Sequence, residues 1–242
     1  MLISLLTFIM KKTLLFLLLA VTSSTAAFAQ ARPGGSLSSK DYTGGKTNDS
    51  GNTGFGVKGG YNFSRPYGPD IPNGSAYHDY HVGVYGQFGF SNFSSLQVEL
   101  LYNRKGYNSD VTSYNGNQKV VTNQATKMAY FELPILYVAN LTDNFAVHIG
   151  PQISLLTTAK SGDKDLALAE NGFNTIDFGG IVGAAYRVGP AQIGARYDLS
   201  FGKVFDTNTK YAAPGSNPVV YYNNPSVHNQ VVQLYVSIGL RQ

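Results

Sequence analysis

The stretch VVQLYVSIGLR, residues 231–241, decides the architecture. Successive side chains of an extended strand point to opposite faces. Val232, Leu234, Val236, Ile238 and Leu240 therefore form one aliphatic face, and Gln233, Tyr235, Ser237 and Arg241 share the other. Seven further stretches alternate in the same way, at 55–63, 81–90, 96–104, 128–138, 145–156, 176–187 and 191–201. Most have the roughly 9–11 residues that a tilted membrane-crossing strand requires. The connectors at 91–95, 139–144 and 188–190 are short, whereas those at 64–80, 105–127, 157–175 and 202–230 are long. Strict alternation of long and short connectors, with an even strand number, predicts an all-β fold: an eight-stranded antiparallel up-and-down transmembrane β-barrel with both termini on the periplasmic side. A closed barrel pairs every backbone polar group without a helix, so a modestly hydrophobic chain can reside in lipid.

Sorting the strands by parity separates two chemistries. One face collects Phe55, Val57, Tyr61 and Phe63, Val82, Val84 and Phe88, Leu96, Val98, Leu100 and Tyr102, and their equivalents in the later strands, without a charged residue. The opposite face collects eight charges: Lys58, Glu99, Glu132, Asp177, Arg187, Arg196, Asp198 and Arg241. Asn62, His81, Gln87, Gln97, Asn103, His148, Gln152, Gln192 and Gln233 join them there. The interior of an eight-stranded barrel is only wide enough to be filled by side chains. The four acids and four bases are therefore expected to neutralise one another in a polar plug, Glu132 serving as partner to Lys58 or Arg196. Glycines on the same face, among them Gly56, Gly60, Gly83, Gly183 and Gly194, make room for the long side chains.

Composition fits this placement. Only 13% of the 242 residues are charged, against about 25% in ordinary soluble domains. Tyr61, Tyr102, Tyr137, Tyr186 and Tyr197 lie near strand ends, where a phenol keeps its ring in lipid and its hydroxyl among headgroups. Lys11 and Lys12, the apolar run 13–21 and Ala27-Phe28-Ala29 read as a signal peptide cleaved after Ala29. The organisation is thus a signal peptide over 1–29, a polar periplasmic lead-in over 30–53 and the barrel over 54–242. The absence of cysteine excludes a disulfide scaffold, a thiolate metal site and a Cys nucleophile. A net charge of +4 with scattered basic residues argues against a nucleic-acid partner. The glycines of 54–60 lack the strand-to-helix context of a phosphate loop. No cofactor or metal is expected.

Six segments, GVKGGYNFS from Gly56, YFELPILYV from Tyr130, IGPQISLL from Ile149, DFGGIVGAAYRV from Asp177, IGARYDLSF from Ile193 and QLYVSIGLR from Gln233, occur in this order. With them the chain resembles the Bacteroidota outer-membrane β-barrel family often called PorT-like, from Gly54 to the C-terminus. The resemblance implies a small barrel in the outer membrane; most members of that family have no assigned biochemical activity. The chain departs from the common aromatic ending, closing with Leu240-Arg241-Gln242.

Chemical readings of individual residues compete with structural ones. Glu132, His148 and Ser154 would supply a carboxylate, an imidazole and a hydroxyl to a lipid-modifying enzyme, but Glu132 is mid-strand rather than at the lipid edge. Arg196 and Asp198 share a face and fit a register lock better than an ion path. His78, Asp79 and His81 offer three metal-ligand types within four residues, a spacing that coincidence produces easily, and His228 reads as a solvated loop residue. Tyr67, Tyr77, Tyr107, Tyr114, Tyr211, Tyr221 and Tyr222 lie in the long connectors among Asn, Gly, Ser and Pro, a mixture suited to adaptable contacts. The expected partners are outer-membrane lipid and a protein or glycan ligand at the outer loops. The favoured reading is a non-enzymatic barrel with a structural or partner-binding role; a lipid-modifying enzyme and a narrow diffusion pore are the alternatives.

Overall fold

The computed structural model describes residues 53–69, 75–115, 118–206, 210–212, 221–223 and 226–240, giving only the backbone over 109–115, 118–122, 210–212 and 221–223. The expected signal peptide and nearly all of the lead-in lie outside the described residues. The described residues form eleven strands: β1 (Gly54–Tyr67), β2 (Ser75–Gly89), β3 (Ser94–Asn115), β4 (Gln118–Asn140), β5 (Phe145–Ser161), β6 (Lys164–Leu166), β7 (Ile176–Val188), β8 (Ala191–Ser200), β9 (Lys210–Ala212), β10 (Tyr221–Asn223) and β11 (His228–Leu240).

Eight of them are staves in the order β4-β3-β2-β1-β11-β8-β7-β5, and β4 pairs with β5 to close the ring. All eight stave pairings are antiparallel, including the closing pair of first and last staves from Phe55↔Leu240 to Tyr67↔His228. The chain therefore forms the closed eight-stranded antiparallel barrel that the alternation predicts.

The faces are inverted relative to a soluble protein. Val84, Ile149 and Phe178 are 52%, 60% and 57% exposed, while Glu99, Arg196 and Gln233 are 1%, 2% and 0% exposed. No aqueous protein gains from such an arrangement, whereas hydrocarbon around the wall makes it the low-energy one. At the turn end, the two-residue link between β7 and β8 uses Gly189 at φ +59 before Pro190, a left-handed conformation that glycine adopts without a Cβ penalty.

The long connectors are less loop-like than expected. β3 and β4 continue as one ladder from Lys105↔Met128 to Asn115↔Gln118, so most of 105–127 is a two-stranded ribbon projecting from the wall. β5 runs on to Ser161, turns at Gly162 with φ +60 and folds back as β6, with Ala159↔Leu166. β9 and β10 pair with each other inside 202–230. The apolar–polar alternation ends where the hydrocarbon ends, but backbone pairing does not depend on that alternation and carries on beyond it.

Candidate functional site

The lumen is filled by one connected polar network. Near the turn end, Glu99 on β3 accepts from Lys58 of β1, from Arg196 Nη1 of β8 at 2.7 Å and from Gln97 Nε2 at 2.5 Å. Gly83 of β2 lies beside Lys58 in the ladder and presents no side chain, which lets the lysine reach across β2 to Glu99. The Lys58 ammonium also lies 4.2 Å from the centroid of the Tyr235 ring, a cation–π contact.

Arg196 Nε donates to Gln233 Oε1, and Gln233 Nε2 donates to Asn62 Oδ1 at 3.1 Å. Asn62 Nδ2 donates to Asn103 Oδ1 at 2.5 Å, and Asn103 Nδ2 to Glu132 Oε2 at 2.7 Å. These amides join the first charge cluster to a second. There Lys105 Nζ lies 2.6 Å from Glu132 Oε1 and 2.8 Å from Asp198 Oδ2, and Gln152 donates to Asp198 Oδ1. Lys58, Glu99, Lys105, Glu132, Arg196 and Asp198 are all at most 3% exposed. Buried ions of this kind are tolerated because each is paired and hydrogen-bonded.

Above the second cluster the chemistry changes. Tyr107, Met128, Tyr130, Leu156, Ala159, Phe173, Val204, Phe205 and Val227 form a buried apolar cluster, with Leu166 and Leu168 packed against it. Phe173 and Phe205 meet with ring centroids 5.1 Å apart, and backbone bonds from Asn174 N to Val204 O and from Val204 N to Val227 O tie the segments together. The loop end of the lumen thus carries an apolar cap over the ionic plug.

The residues singled out from sequence fall as follows. Lys58, Glu99, Arg196, Glu132 and Asp198 lie in the network, but Glu132 pairs with Lys105 rather than with Lys58 or Arg196. Asp177 is buried and accepts from Ser200 Oγ at 2.6 Å and Gly202 N at 3.1 Å. Arg187 is half-buried at the turn end without an ion pair among the described residues, and Arg241 lies outside them. The alternation read from sequence stops at Arg104 and so omits Lys105; extending the parity of Asn103 by two residues places that lysine on the inner face.

Tyr107, read as a loop residue, is buried in the cap. Tyr67 is half-buried, donates to Ser200 O at 2.5 Å and stacks on His228, whose ring also contacts Gly202 O at 2.8 Å. His228 is therefore a packed residue of β11 rather than a solvated one. Tyr77 is half-buried, its carbonyl accepting from Ser64 Oγ at 3.2 Å. Tyr114, Tyr211, Tyr221 and Tyr222 lie on β3, β9 and β10, with side chains outside the described set.

Glu132 and Ser154 face each other in the β4–β5 ladder, Ser154 Oγ lying 3.4 Å from Glu132 Oε1. His148 instead sits opposite Val138. Six residues along β4 from Glu132 to Val138 correspond to roughly 20 Å, so the three groups do not converge. His78 is exposed against Tyr61 and Phe63, Asp79 pairs with Arg104 at 3.1 Å, and His81 is buried with Nδ1 2.7 Å from Asn62 Oδ1. The two histidines lie on opposite sides of the wall.

The family profile described as "Outer membrane protein beta-barrel domain" matches residues 28–206. No curated protein matches the chain. Among solved structures, Ail, the attachment invasion locus protein of Yersinia pestis, is 10% identical with a TM-score of 0.43, covering 78% of this chain and 99% of that one. Neisserial surface protein A is 14% identical with a TM-score of 0.48 over 77% and 97% of the two chains. The outer membrane protein OprG from Pseudomonas aeruginosa is 15% identical with a TM-score of 0.39 over 77% and 93%.

Proposed function

This chain belongs to the outer membrane protein beta-barrel domain family and is a cell outer-membrane protein, and we propose that it is a non-conducting, non-enzymatic barrel whose extramembrane ribbon and loops engage a protein or glycan. The observation that carries this reading is the double obstruction of the lumen. A continuous hydrogen-bonded chain runs from Lys58 to Asp198, and an apolar cluster lies over it. An interior spent on packing leaves the wall as an anchor, and the long β3–β4 ladder beyond the apolar belt is what the anchor presents. The separation of His148 from Glu132 and Ser154 favours the same reading over lipid chemistry. The ordered segments from Gly56 to Arg241 support placement in the PorT-like branch.

The test is paired. Purified protein in planar bilayers is expected to show no steady ohmic conductance, and removal of residues 109–123 is expected to abolish retention of its partner on isolated outer membranes while leaving the barrel folded. A stable conductance in the intact protein, or partner retention unaffected by loss of the ribbon, overturns the proposal.

A further inference from the structure

The outer surface of the wall carries lysine and arginine on one half of one rim. Beyond the apolar belt at the loop end, five consecutive staves point a basic or imidazole side chain outward: Arg65 on β1, His78 on β2, Arg104 on β3, Lys127 on β4 and Lys160 on β5. Arg65, His78 and Arg104 each lie two residues past an outward aromatic, Phe63, Tyr80 and Tyr102 respectively, a step of about 7 Å along the strand. Those aromatics mark where hydrocarbon gives way to headgroups. Staves β7, β8 and β11 carry no lysine or arginine on their outward faces, and the turn-end rim presents Phe90, Phe93, Leu141, Phe145, Val188 and Leu240.

The cations on this half-rim are incompletely neutralised. Lys127 and Lys160 stand directly opposite each other in the β4–β5 ladder, an arrangement that disfavours folding unless an anion lies against it. Their acidic neighbours, Asp163 at 3.9 Å and Asp165 at 3.0 Å, are themselves in water, so these pairs are weak. Arg104 is held by Asp79 and lies over the Tyr80 ring. Arg65 is exposed and has no ion pair among the described residues.

We propose that this half-rim docks the phosphate groups of an anionic glycolipid in the outer leaflet. The long-loop end of such barrels faces outward, and basic residues beside the headgroup zone attract anionic lipid. The one-sided placement fixes which staves face that lipid and leaves the opposite half free. The five side chains of this half-rim lie outside the sealed lumen and outside residues 109–123 of the ribbon.

The test uses the full-length protein in nanodiscs of phosphatidylcholine containing either bis-phosphorylated lipid A or the same lipid stripped of phosphate, with retained lipid counted by native mass spectrometry. The wild type is expected to retain the phosphorylated form in about fivefold excess or more. Arg65→Gln/Lys127→Gln/Lys160→Gln should lose that preference, and Lys164→Gln, on β6 opposite Ser161 and so on the other face of the β5–β6 ladder from Lys160, should keep it. At matched ionic strength, inorganic phosphate should displace the lipid no better than chloride does. If the triple variant does not fold, salt titration of the wild type decides: rising ionic strength must strip the phosphorylated lipid selectively. Equal retention of the two lipids, an unchanged triple variant, displacement by phosphate beyond that by chloride at equal ionic strength, or salt-insensitive retention would each overturn the proposal.

Discussion

Glu99→Gln removes one negative charge from beneath two buried cations and is the sharpest perturbation of the lumen. In the native protein Lys58 and Arg196 both bond Glu99, giving the cluster a net charge of +1; the variant raises it to +2. At 2.7 Å the Arg196–Glu99 attraction is roughly 6 kcal/mol gross at an effective dielectric of about 20. Desolvation offsets much of this, and the observed cost of deleting one partner of a buried pair is about 3–5 kcal/mol. The substituted amide is nearly the same size as the carboxylate, so cavity formation contributes little. The double variant Lys58→Met/Glu99→Gln returns the cluster to +1, and the amide oxygen introduced in place of the carboxylate can still accept from Arg196. It should recover at least about 2 kcal/mol of the loss, a coupling expected for residues in direct contact. The chain has no tryptophan, so urea unfolding in detergent is followed by far-ultraviolet circular dichroism, the midpoint reporting stability at constant slope. A single variant within about 1 kcal/mol of wild type, or a double variant no more stable than the single, would refute the view that this carboxylate holds two desolvated cations.

Two glycines on opposite faces of the wall should respond oppositely. A Cβ at Gly183 would lie 2.5 Å from His148 Nε2 and 2.6 Å from Ala195 O, so Gly183→Ala should cost about 1–3 kcal/mol in the same unfolding assay. At Gly86 the nearest atoms are the Phe88 ring at 3.8 Å, and Gly86→Ala should change stability by no more than about 0.5–1 kcal/mol, in the stabilising direction. Phe205→Ala should loosen the cap alone. Loss of its packing against Phe173 is worth about 3 kcal/mol, and hydrogen exchange should accelerate at Asp206, whose amide bonds Gly172 O, while amides of the staves stay protected.

The wall was legible because lipid and a packed lumen impose opposite demands on alternate residues. Val232, Leu234, Val236, Ile238 and Leu240 face outward and Gln233, Tyr235 and Ser237 inward as parity requires. Parity assigns a face but not a partner. Glu132 meets Lys105 although the ladder sets Leu101 opposite Glu132 and Met128 opposite Lys105, because the long lysine side chain reaches along the lumen, and no single stretch reveals that register. The ribbon escaped for a different reason. Beyond the belt neither face of β3 and β4 must be apolar, so Asn108 to Asn115 carries no periodic signal although it is fully paired. The cap escaped because its members come from six separate stretches, with Tyr107, Met128, Leu156, Phe173, Val204 and Val227 each ordinary in its own segment.

The inverted barrel is defined by which way the side chains point, and the absence of native cysteine allows single cysteines bearing a nitroxide to report it directly. Labels at Val84, Ile149 and Phe178 in lipid bilayers should collide readily with dissolved oxygen and rarely with a water-soluble nickel chelate, whereas labels at Gln97, Gln152 and Gln233 should be shielded from both. Nickel access at the first set equal to that of a label on an aqueous loop, or oxygen access at the second set matching the first, would contradict the inverted barrel.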